Sequence, residues 1–269
     1  MNINKMKIQD ITPYLKKDIS KDIFIFDCLE STNETAKTPE YSKAKHGTII
    51  IADTQTAGKG RMGRTFLSPP NCGLYITFIL HPDKINFTVP TLITAFAAVA
   101  VCEAIEKLTD KKPHIKWVND IYLDTKKICG ILTESVNTVD NTKHIILGIG
   151  INITPPPGDF PPELQSIAGT VFARNEAAIT KSHLTGELIN NILFPVNQYD
   201  ENETLTKYKQ RMPLLGKMIG YTQNNTTQEA TATDIDSFGR LVVTKSDGTI
   251  DHLSSGEISI KPDENLHRC

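Results

Sequence analysis

The chain has 269 residues, of which 39% are hydrophobic and 22% are charged, so it can bury a core without disulfides or structural metals. Its formal net charge of -2 argues against a general nucleic-acid-binding protein, whose binding domain is visibly basic. No apolar run reaches the ~20 residues of a membrane helix, and the N-terminus lacks the apolar segment of a signal peptide. We therefore expect a soluble, cytoplasmic protein with no nucleic-acid partner and no membrane partner.

The cysteines and histidines give no sign of a metal centre. The five cysteines are odd in number and scattered, with no CxxC pair, and the seven histidines form no HExxH motif. A disulfide framework or a zinc cluster is therefore not expected, and reduced thiols fit best. We also expect no tightly bound cofactor.

The first eighty residues predict three strands and one short helix. Runs of β-branched and aromatic residues at 22–27 and 48–53 indicate strands, and the run at 73–80 is apolar enough for a strand buried on both faces. Between the first two, Ser31-Thr32-Asn33-Glu34 has the pattern of a capping box that opens a helix. Pro39 is expected to end or bend that helix early.

The middle of the chain predicts one long helix and a set of strands. Apolar residues at helical spacing follow Pro90 and continue to Leu108, which gives a broad apolar helix face. Four successive strands are predicted at 114–118, 121–124, 127–134 and 144–153. Residues 124–126 would join the middle two as a hairpin. Two further helices are predicted at about 181–197 and 203–211.

The chain changes character near residue 213. Before that point, the proline-rich segment 154–162 is predicted to be a loop. Beyond it, short strands alternate with turn signals, the pattern of a β-barrel of about 50 residues. The turn signals lie at 223–225, 236–239 and 246–248. The predicted fold class is therefore α+β, with a main domain at residues 1–212 and a small all-β domain at residues 213–269.

The segment A-G-K-G-R-M-G-R at 57–64 is the first candidate site. It contains G-x-G-x-x-G, but a dinucleotide-binding fingerprint needs a helix immediately after it, and the two prolines at 69–70 argue against one. What remains is a glycine-rich loop that can approach an oligophosphate closely and neutralise it with Lys59, Arg61 and Arg64. The alternative interpretation is a solvated surface loop.

The second candidate site is K-W-V-N-D at 116–120, followed by K-K-I-C-G-I-L at 126–132. Lys116, Asn119 and Asp120 lie at a strand junction, and a further lysine begins the return strand, so the four side chains can converge. A carboxylate beside an amide suits Mg²⁺ held partly by ATP phosphates, and a lysine suits charge that builds on an α-phosphate. In isolation, a surface hairpin with solvated charges and a packed tryptophan is the favoured alternative.

Four motifs together make the chain recognisable. They are T-Q-T-A-G-K-G-R-M-G-R-T-F-L-S-P at 54–69, K-W-V-N-D at 116–120, K-K-I-C-G-I-L at 126–132 and G-I-G-I-N at 148–152. In order and spacing they resemble the biotin–protein ligase family, in its short form without an N-terminal DNA-binding domain. The resemblance extends over about 22–260. It implies the mixed-sheet catalytic domain of biotin and lipoate ligases, similar to class II synthetases, followed by an SH3-like β-barrel.

The resemblance also implies a role for each matching residue. The biotin-binding residues would be Ser31, Thr32, Asn33, Gln55, Gly58, Arg61, Lys127 and Gly130. The residues that bind ATP and the adenylate would be Lys59, Arg61, Arg64, Phe66, Lys116, Trp117, Asn119 and Asn152. Arg61, Asp120 and Lys127 would be catalytic, and Asp120 would also be the Mg²⁺ ligand.

Two positions depart from the family pattern. Val118 stands where the family often has proline, and Phe66 stands where it often has tryptophan. Valine keeps the preference for extended backbone, and phenylalanine keeps an aromatic face for packing on the adenylate. Neither substitution removes a charged or hydrogen-bonding group.

The reaction that the resemblance implies has two steps. Biotin and ATP give biotinyl-5′-AMP and pyrophosphate, and a lysine of a biotin carboxyl carrier protein then attacks the mixed anhydride and releases AMP. ATP and Mg²⁺ are thus implied as co-substrates, biotin as substrate and the carrier protein as partner. Because the intermediate hydrolyses readily, residues 57–68 are expected to be mobile without biotin and to close over it.

Several alternatives stay open at this point. A lipoate–protein ligase or octanoyl transferase would share the catalytic fold, although G-K-G-R-M-G-R differs from the R-R-x-x-G-G-G pattern of lipoate ligases. A biotin-responsive repressor is disfavoured because only ~20 residues precede the first strand, short of the ~50 of a domain. The retained Arg61, Asp120 and Lys127 argue against an inactive scaffold. Strands such as 145–153 could also pair across a homodimer.

Overall fold

The structure is a computed structural model that describes residues 6–85, 87, 89–137, 143–174, 181–195, 199–223, 226–254, 256 and 258–260. These residues form a seven-stranded mixed sheet with helices on both faces, followed by a five-stranded antiparallel sheet. The α+β fold class predicted from the sequence is confirmed. None of the helices in the described ranges combines the length and the apolar character that a bilayer crossing requires.

The larger sheet is built from the first seven strands. They are β1 (Ile23–Leu29), β2 (Thr48–Gln55), β3 (Gly73–Leu80), β4 (His114–Lys116), β5 (Asp120–Leu123), β6 (Lys126–Asn137) and β7 (Lys143–Asn152). Their order is β1-β2-β3-β7-β6-β5-β4, with β1 and β2 parallel and every other pair antiparallel. Strand β3 is buried at every position, as predicted.

The position of β7 contradicts one expectation. This strand bonds to β3 on one side and to β6 on the other, so its main-chain donors and acceptors are already used. It therefore cannot pair across a dimer, and that prediction was wrong. The edges of the sheet are β1 and β4.

The described part of the chain contains six α-helices beside the sheet. They are α1 (Ile8–Ile11), α2 (Thr32–Ala36), α3 (Pro90–Leu108), α4 (Pro162–Gln165), α5 (Lys181–Leu193) and α6 (Glu201–Gln210). Single turns of 3₁₀ helix occur at Thr12–Tyr14, Ser20–Asp22, Pro39–Tyr41, Arg61–Gly63 and Pro82–Lys84. The long helix after Pro90 is confirmed, and α5 and α6 pack against it.

Three predicted boundaries were wrong by a few residues. Helix α6 begins two residues early because Asp200 caps it, accepting hydrogen bonds from the main-chain N–H groups of Asn202 and Glu203. Helix α5 ends at Leu193, and residues 196–197 of its predicted range lie outside the described residues. The predicted loop at 154–162 is irregular up to its last residue, where proline suits the first turn of α4.

The two faces of the sheet carry different cores. Side chains of successive strand residues point to opposite faces, so Ile49 and Ile51 join the large core under α3 while Ile50 joins a smaller cluster near α2. Ile146 of β7 belongs to the same small cluster. The next residues of β7 on that face are Gly148 and Gly150, which have no side chains. A hollow therefore remains on the α2 face, and it contains the candidate site.

The smaller sheet follows α6. Its strands are β8 (Met218–Gln223), β9 (Thr226–Ile235), β10 (Leu241–Thr244), β11 (Ile250–Leu253) and β12 (Ile258–Ile260), in the order β11-β10-β9-β8-β12. The predicted turns at 236–239 and 246–248 are present, whereas residues 224–225 of the third lie outside the described part of the chain. The domain boundary at residue 212 stays a prediction.

Candidate active site

A cavity of about 230 Å³ opens on the α2 face of the large sheet. Its walls come from the start of α2, the loop at 57–68, the β5–β6 hairpin, the glycines of β7 and the end of the smaller sheet. Every predicted site residue except Gly58 and Asn152 lines this cavity. The motifs that were separate in the sequence therefore meet around one space.

The start of α2 forms a polar corner of the cavity. Gln55 Oε1 accepts hydrogen bonds from the main-chain N–H of Thr32 at 2.8 Å and from its hydroxyl at 3.1 Å, while Gln55 Nε2 donates to Ser68 Oγ at 2.8 Å. Ser31 occupies the N-cap position, but its side chain makes no capping hydrogen bond. The predicted capping box is therefore wrong, because the carboxylate of Glu34 pairs with lysines instead.

Asn33 is held on three sides. Its Nδ2 donates to Glu134 Oε2 at 2.9 Å, and its Oδ1 lies 2.7 Å from the hydroxyl of Thr77. A Cβ at Gly148 would overlap Asn33 Oδ1, so the amide rests directly on the bare backbone of β7. This arrangement fixes the orientation of the amide, with its oxygen toward a hydroxyl donor and its nitrogen toward a carboxylate.

The sequence interpretation missed Thr77, Glu134 and Gly148 as parts of this corner. Thr77 lies within an apolar strand, and Glu134 is one of many charged residues, so neither stands out alone. The two glycines of G-I-G-I-N did carry a signal, since glycine within a strand marks the close approach of another group. Their two-residue spacing places both on one face of β7.

A chain of ion pairs joins this corner to the glycine-rich loop. Lys37 Nζ lies 2.7 Å from both Glu134 Oε1 and Glu34 Oε1, and Lys59 Nζ lies 2.8 Å from Glu34 Oε1. The hydrogen bonds from Lys37 and then Lys59 lower the pKa of Glu34. Burial lowers the pKa of Lys37, but its bonds to Glu134 and Glu34 outweigh burial and raise it overall. Glu34 and Lys37 are therefore held as a charged pair near neutral pH.

The loop at 57–68 folds back on itself. The main-chain N–H of Phe66 donates to the Gly58 carbonyl at 2.8 Å, and that of Gly60 donates to the Arg64 carbonyl at 2.7 Å. At its tip the backbone turns with a φ of 56° at Met62. A Cβ at Gly58 would strike the Phe66 carbonyl, so this glycine is needed for packing within the loop. It does not line the cavity, so its predicted contact with biotin is not supported.

The side chain of Phe66 extends from the loop to the floor of the cavity. Gly130 and Gly150 face each other across β6 and β7. A Cβ at Gly150 would come within 2.6 Å of the Phe66 ring, and one at Gly130 would come within 3.3 Å. The ring therefore packs on a pair of glycines and forms a flat apolar wall of the cavity. A side chain at either glycine would prevent this packing.

Arg61 and Asn119 join the loop to the hairpin. Arg61 Nη1 donates to Asn119 Oδ1 at 3.0 Å, and Asn119 Nδ2 donates to the carbonyl of Ile131 at 2.9 Å. The main-chain N–H of Ile131 returns a bond to the Asn119 carbonyl at 3.0 Å. Asn119 is thus fixed to β6 by two bonds and presents its amide oxygen to Arg61.

Lys127 and Asp120 form the charged centre of the hairpin. Lys127 Nζ lies 2.7 Å from Asp120 Oδ1, and both side chains are about a quarter exposed. That oxygen is buried and the Lys127 ammonium is its close partner. A carboxylate is the kind of ligand that Mg²⁺ prefers, with phosphates and water as the other ligands. The described residues contain no cluster of three or more acidic, histidine or cysteine ligands.

Trp117 connects this centre to the smaller sheet. Its side chain is buried, and its indole N–H donates to the Gly239 carbonyl at 3.1 Å. The peptide bond between Trp117 and Val118 is cis. Gly256 and Ile258 of the smaller sheet also line the cavity. Both sheets therefore contribute to its wall.

Asn152 does not take the predicted place at the nucleotide side of the cavity. Its Nδ2 donates to the Gly169 carbonyl at 3.1 Å, and its own carbonyl accepts a bond from the main-chain N–H of Val171. It therefore fastens the segment after α4 to the end of β7. That segment in turn pairs with Lys127, whose main-chain N–H donates to the Ile167 carbonyl at 2.8 Å.

Comparisons with known proteins agree with this arrangement. Residues 25–152 match the biotin/lipoate A/B protein ligase family, and residues 214–261 match the biotin protein ligase C terminal domain. In fold and in both matched segments the chain is thus similar to ligases of the biotin and lipoate class. Because the second match is specific to biotin ligases, the family that the chain resembles is the biotin protein ligase family.

Individual relatives support the same family. The chain is 41% identical to the bifunctional ligase/repressor BirA of Bacillus subtilis over 165 residues, which are 61% of this chain and 50% of that protein. It is 27% identical to biotin protein ligase from Aquifex aeolicus in complex with biotin and ATP, with a TM-score of 0.75 over 90% of this chain and 99% of that one. The enzyme from Leishmania major with biotinyl-5-AMP is 22% identical, with a TM-score of 0.60 over 87% of this chain and 98% of that one, and shares the fold. The chain spans about half the length of the Bacillus relatives.

Proposed function

We propose that this chain joins biotin to protein in two steps. It would form biotinyl-5′-AMP from biotin and ATP, and then transfer biotin to a lysine of a biotin carboxyl carrier protein, such as that of acetyl-CoA carboxylase. The observation that carries the proposal is the single cavity onto which Arg61 of the loop and Lys127 of the hairpin both open. The Aquifex and Leishmania relatives, whose complexes hold biotin, ATP and biotinyl-5-AMP, support these ligands.

The uncharged corner is suited to the bicyclic end of biotin. A ureido group has two N–H donors and one strong acceptor, and Ser31, Thr32, Asn33 and Gln55 offer both kinds of partner without a full charge. Ser31, Thr32 and Asn33 are buried and Gln55 is partly buried, so water competes weakly for their hydrogen bonds. The Phe66 ring on its pair of glycines supplies an apolar wall for the remainder of the molecule.

The cationic end is suited to adenylate formation. The carboxylate oxygen of biotin attacks the α-phosphorus of ATP, and the bond to the pyrophosphate oxygen breaks. Two anions approach each other in this step, so cations lower its barrier. Lys127 and Arg61 are proposed to face the reacting groups, while Lys59, Arg64 and Lys116 are proposed to neutralise the phosphates. The proposed Mg²⁺ ion would be held by Asp120 with ATP phosphates and would supply further charge neutralisation.

The second step places different demands on the chain. A neutral lysine amine of the carrier attacks the acyl carbon, and AMP leaves with the bonding electron pair. Between the steps water must be excluded, because the mixed anhydride hydrolyses. The loop at 57–68 is proposed to close over the adenylate, held by Arg61. Asp120 can also accept a proton from the incoming amine, in addition to its proposed role toward Mg²⁺.

The direct test uses purified protein with ATP, Mg²⁺ and either biotin or lipoate. Pyrophosphate release with biotin, followed by a mass increase of one biotinyl group on an added biotin carboxyl carrier domain, would support the proposal. Release with lipoate and none with biotin would identify a lipoate–protein ligase instead. A carrier domain whose acceptor lysine is replaced by arginine is the matched control and should gain no mass.

A further inference from the structure

The turn between β9 and β10, at residues 236–240, is where the smaller sheet contacts the K-W-V-N-D motif. The Gly239 carbonyl accepts the indole N–H of Trp117 at 3.1 Å, and the Phe238 carbonyl accepts the hydroxyl of Thr91 at 2.6 Å. Trp117 is 4% exposed and lines the cavity. The turn therefore touches the main domain through two main-chain carbonyls, and its geometry decides where they point.

One carboxylate builds this turn. Asp236 Oδ1 accepts bonds from the main-chain N–H groups of Phe238 and Arg240, both at 2.9 Å. Its Oδ2 accepts from Arg240 Nε at 2.7 Å and contacts the His252 ring at 2.8 Å. Gly239 has a φ of 73°, a conformation that glycine adopts without strain. Four contacts on a single side chain thus fix the carbonyl that receives Trp117.

Trp117 lies only three positions before Asp120 in the sequence, the residue that pairs with Lys127. The residue after it, Val118, is held by the hydroxyl of Tyr208, which donates to its carbonyl at 2.7 Å. The next two are Asn119 and Asp120, which contact Arg61 and Lys127. A displacement of the indole would therefore be transmitted within three residues to the groups that face the phosphates.

We propose that Asp236 is a positioning residue for adenylate formation. By fixing the 236–240 turn it holds Trp117, and through Trp117 it holds the junction that carries Asn119 and Asp120. The inference rests on the proposed function and gives the smaller sheet a part in the first step of the reaction. Asp236 itself need not touch a substrate, because its effect passes through the turn and the indole.

The chain contains a matched control for this turn. Between β10 and β11, Asp247 Oδ1 accepts a bond from the main-chain N–H of Thr249 at 2.9 Å, and Gly248 has a φ of 86°. Its main chain closes as the first turn does, since Lys245 N–H donates to the Thr249 carbonyl at 2.8 Å. The residues of this second turn are exposed. The second turn therefore has a similar hydrogen-bond pattern but no contact with Trp117.

A spectroscopic experiment tests the contact without any substrate. Trp117 is the single tryptophan of the chain, so intrinsic fluorescence reports on this site alone. Asp236→Ala should shift its emission to longer wavelength and increase quenching by iodide, because the indole gains access to water. Asp247→Ala should leave both unchanged. Asp236→Asn should stay near wild type, since its Oδ1 can still accept the two main-chain bonds. An Asp236→Ala spectrum identical to that of wild type would overturn the inference.

A kinetic experiment tests the consequence. In pyrophosphate release, Asp236→Ala should lower kcat/KM for ATP by about tenfold, the scale expected when one buried hydrogen bond is lost. Biotin affinity measured without ATP should stay within about twofold, because the hydrogen bonds of the polar corner do not involve the turn. Trp117→Phe removes the indole N–H together with the five-membered ring and should cause a loss at least as large. The double variant should be no slower than Trp117→Phe alone, since both changes break one contact.

The outcomes separate the two proposals. If the wild type releases no pyrophosphate with biotin, the proposed function fails. If the wild type is active and Asp236→Ala matches Asp247→Ala, the positioning role fails and the function stands. Additive losses in the double variant would also contradict a shared contact. Should Asp236→Ala not fold by circular dichroism, Trp117→Phe decides the matter, because full activity in that variant would exclude the role of the indole bond.

Discussion

Arg61 Nη1 donates a hydrogen bond to Asn119 Oδ1 at 3.0 Å, although the two residues are 58 positions apart in the chain. This bond joins the glycine-rich loop to the β5–β6 hairpin and closes one side of the cavity. The partner of Arg61 is a neutral amide, whereas Lys59 and Lys127 each face a carboxylate. The charge of Arg61 is therefore positioned without being neutralised, which suits it to hold an anionic ligand.

Replacing Arg61 by alanine should weaken retention of the adenylate more than it weakens the binding of ATP. The loop would lose both its anchor on Asn119 and its charge toward the phosphate, so water would reach the mixed anhydride. We expect hydrolysis of biotinyl-5′-AMP, measured without carrier protein, to rise by about tenfold to a hundredfold. Asn119→Ala removes the hydrogen-bond partner of Arg61 but keeps the charge of the guanidinium. It should therefore hydrolyse less biotinyl-5′-AMP than Arg61→Ala does. Unchanged leakage in Arg61→Ala would show that the loop does not retain the intermediate.

Replacing Lys127 by alanine should nearly abolish biotinyl transfer. The loss of a cation at the reacting carboxyl and phosphate costs about a hundredfold or more in rate. The neighbouring Lys126 is the matched control, since its ammonium donates to the Gln165 carbonyl at 2.6 Å and it does not line the cavity. Lys126→Ala should keep near-normal turnover by the pyrophosphate assay. Equal activities of the two variants would mean that the reacting groups lie elsewhere.

Replacing Gly148 by alanine should disturb the biotin corner. The added methyl group would overlap Asn33 Oδ1, so the amide must move or the strands must separate. Overpacking of this kind costs about 1–3 kcal/mol in the free energy of unfolding, measured in urea. Biotin affinity, measured by calorimetry, should fall as well. The double change Gly148→Ala with Asn33→Ala should recover stability but not biotin affinity. Wild-type affinity in Gly148→Ala would exclude Asn33 from the binding site.

The glycine-rich loop should become better protected when biotin and ATP bind. Its main-chain bonds from Gly60 and Phe66 run only to other residues of the same loop, so they can open together without disturbing the sheet. We expect hydrogen exchange at 57–68 to slow with ligand, while β3 exchanges equally slowly in both states. Equal protection of the loop with and without ligand would contradict closure over the adenylate.

Stability should fall on mild acidification because of a histidine cluster at the other end of the sheet. Burial, and then the nearby His81, lower the pKa of both His46 and His144 from 6.5. The unfolded chain therefore binds protons more readily than the folded chain. The contribution of these rings is fully present above the unfolded pKa and is lost as pH falls through about 6.5 toward their lower folded values.

The measurement is urea unfolding at about pH 7.5 and about pH 5.5. His144→Gln should flatten the difference between the two conditions, because it removes one titrating ring from the stack with His81. The ring centroids of His81 and His144 lie 4.7 Å apart and the rings are nearly parallel, so a charge on His81 opposes protonation of His144. An identical pH dependence in His144→Gln and wild type would exclude this origin.

The local signals in the sequence predicted a large part of the fold. The buried strand β3, the long helix α3 and the β5–β6 hairpin follow from residue patterns within single segments. The glycine-rich loop and the K-W-V-N-D motif were also identified from the sequence as candidate sites. Boundaries were less accurate, as at α6, because a capping side chain rather than periodicity decides where a helix begins.

The sequence by itself determined the elements, the two motifs with their charges, and the family that the chain resembles. Only the tertiary structure decided that Asn33 rests on Gly148 beside Thr77, and that Trp117 reaches the Gly239 carbonyl. It also decided that β7 lies inside the sheet and that Asn152 fastens a loop. These contacts join residues that are distant along the chain, and they depend on strand order and packing, which no local pattern of side chains encodes.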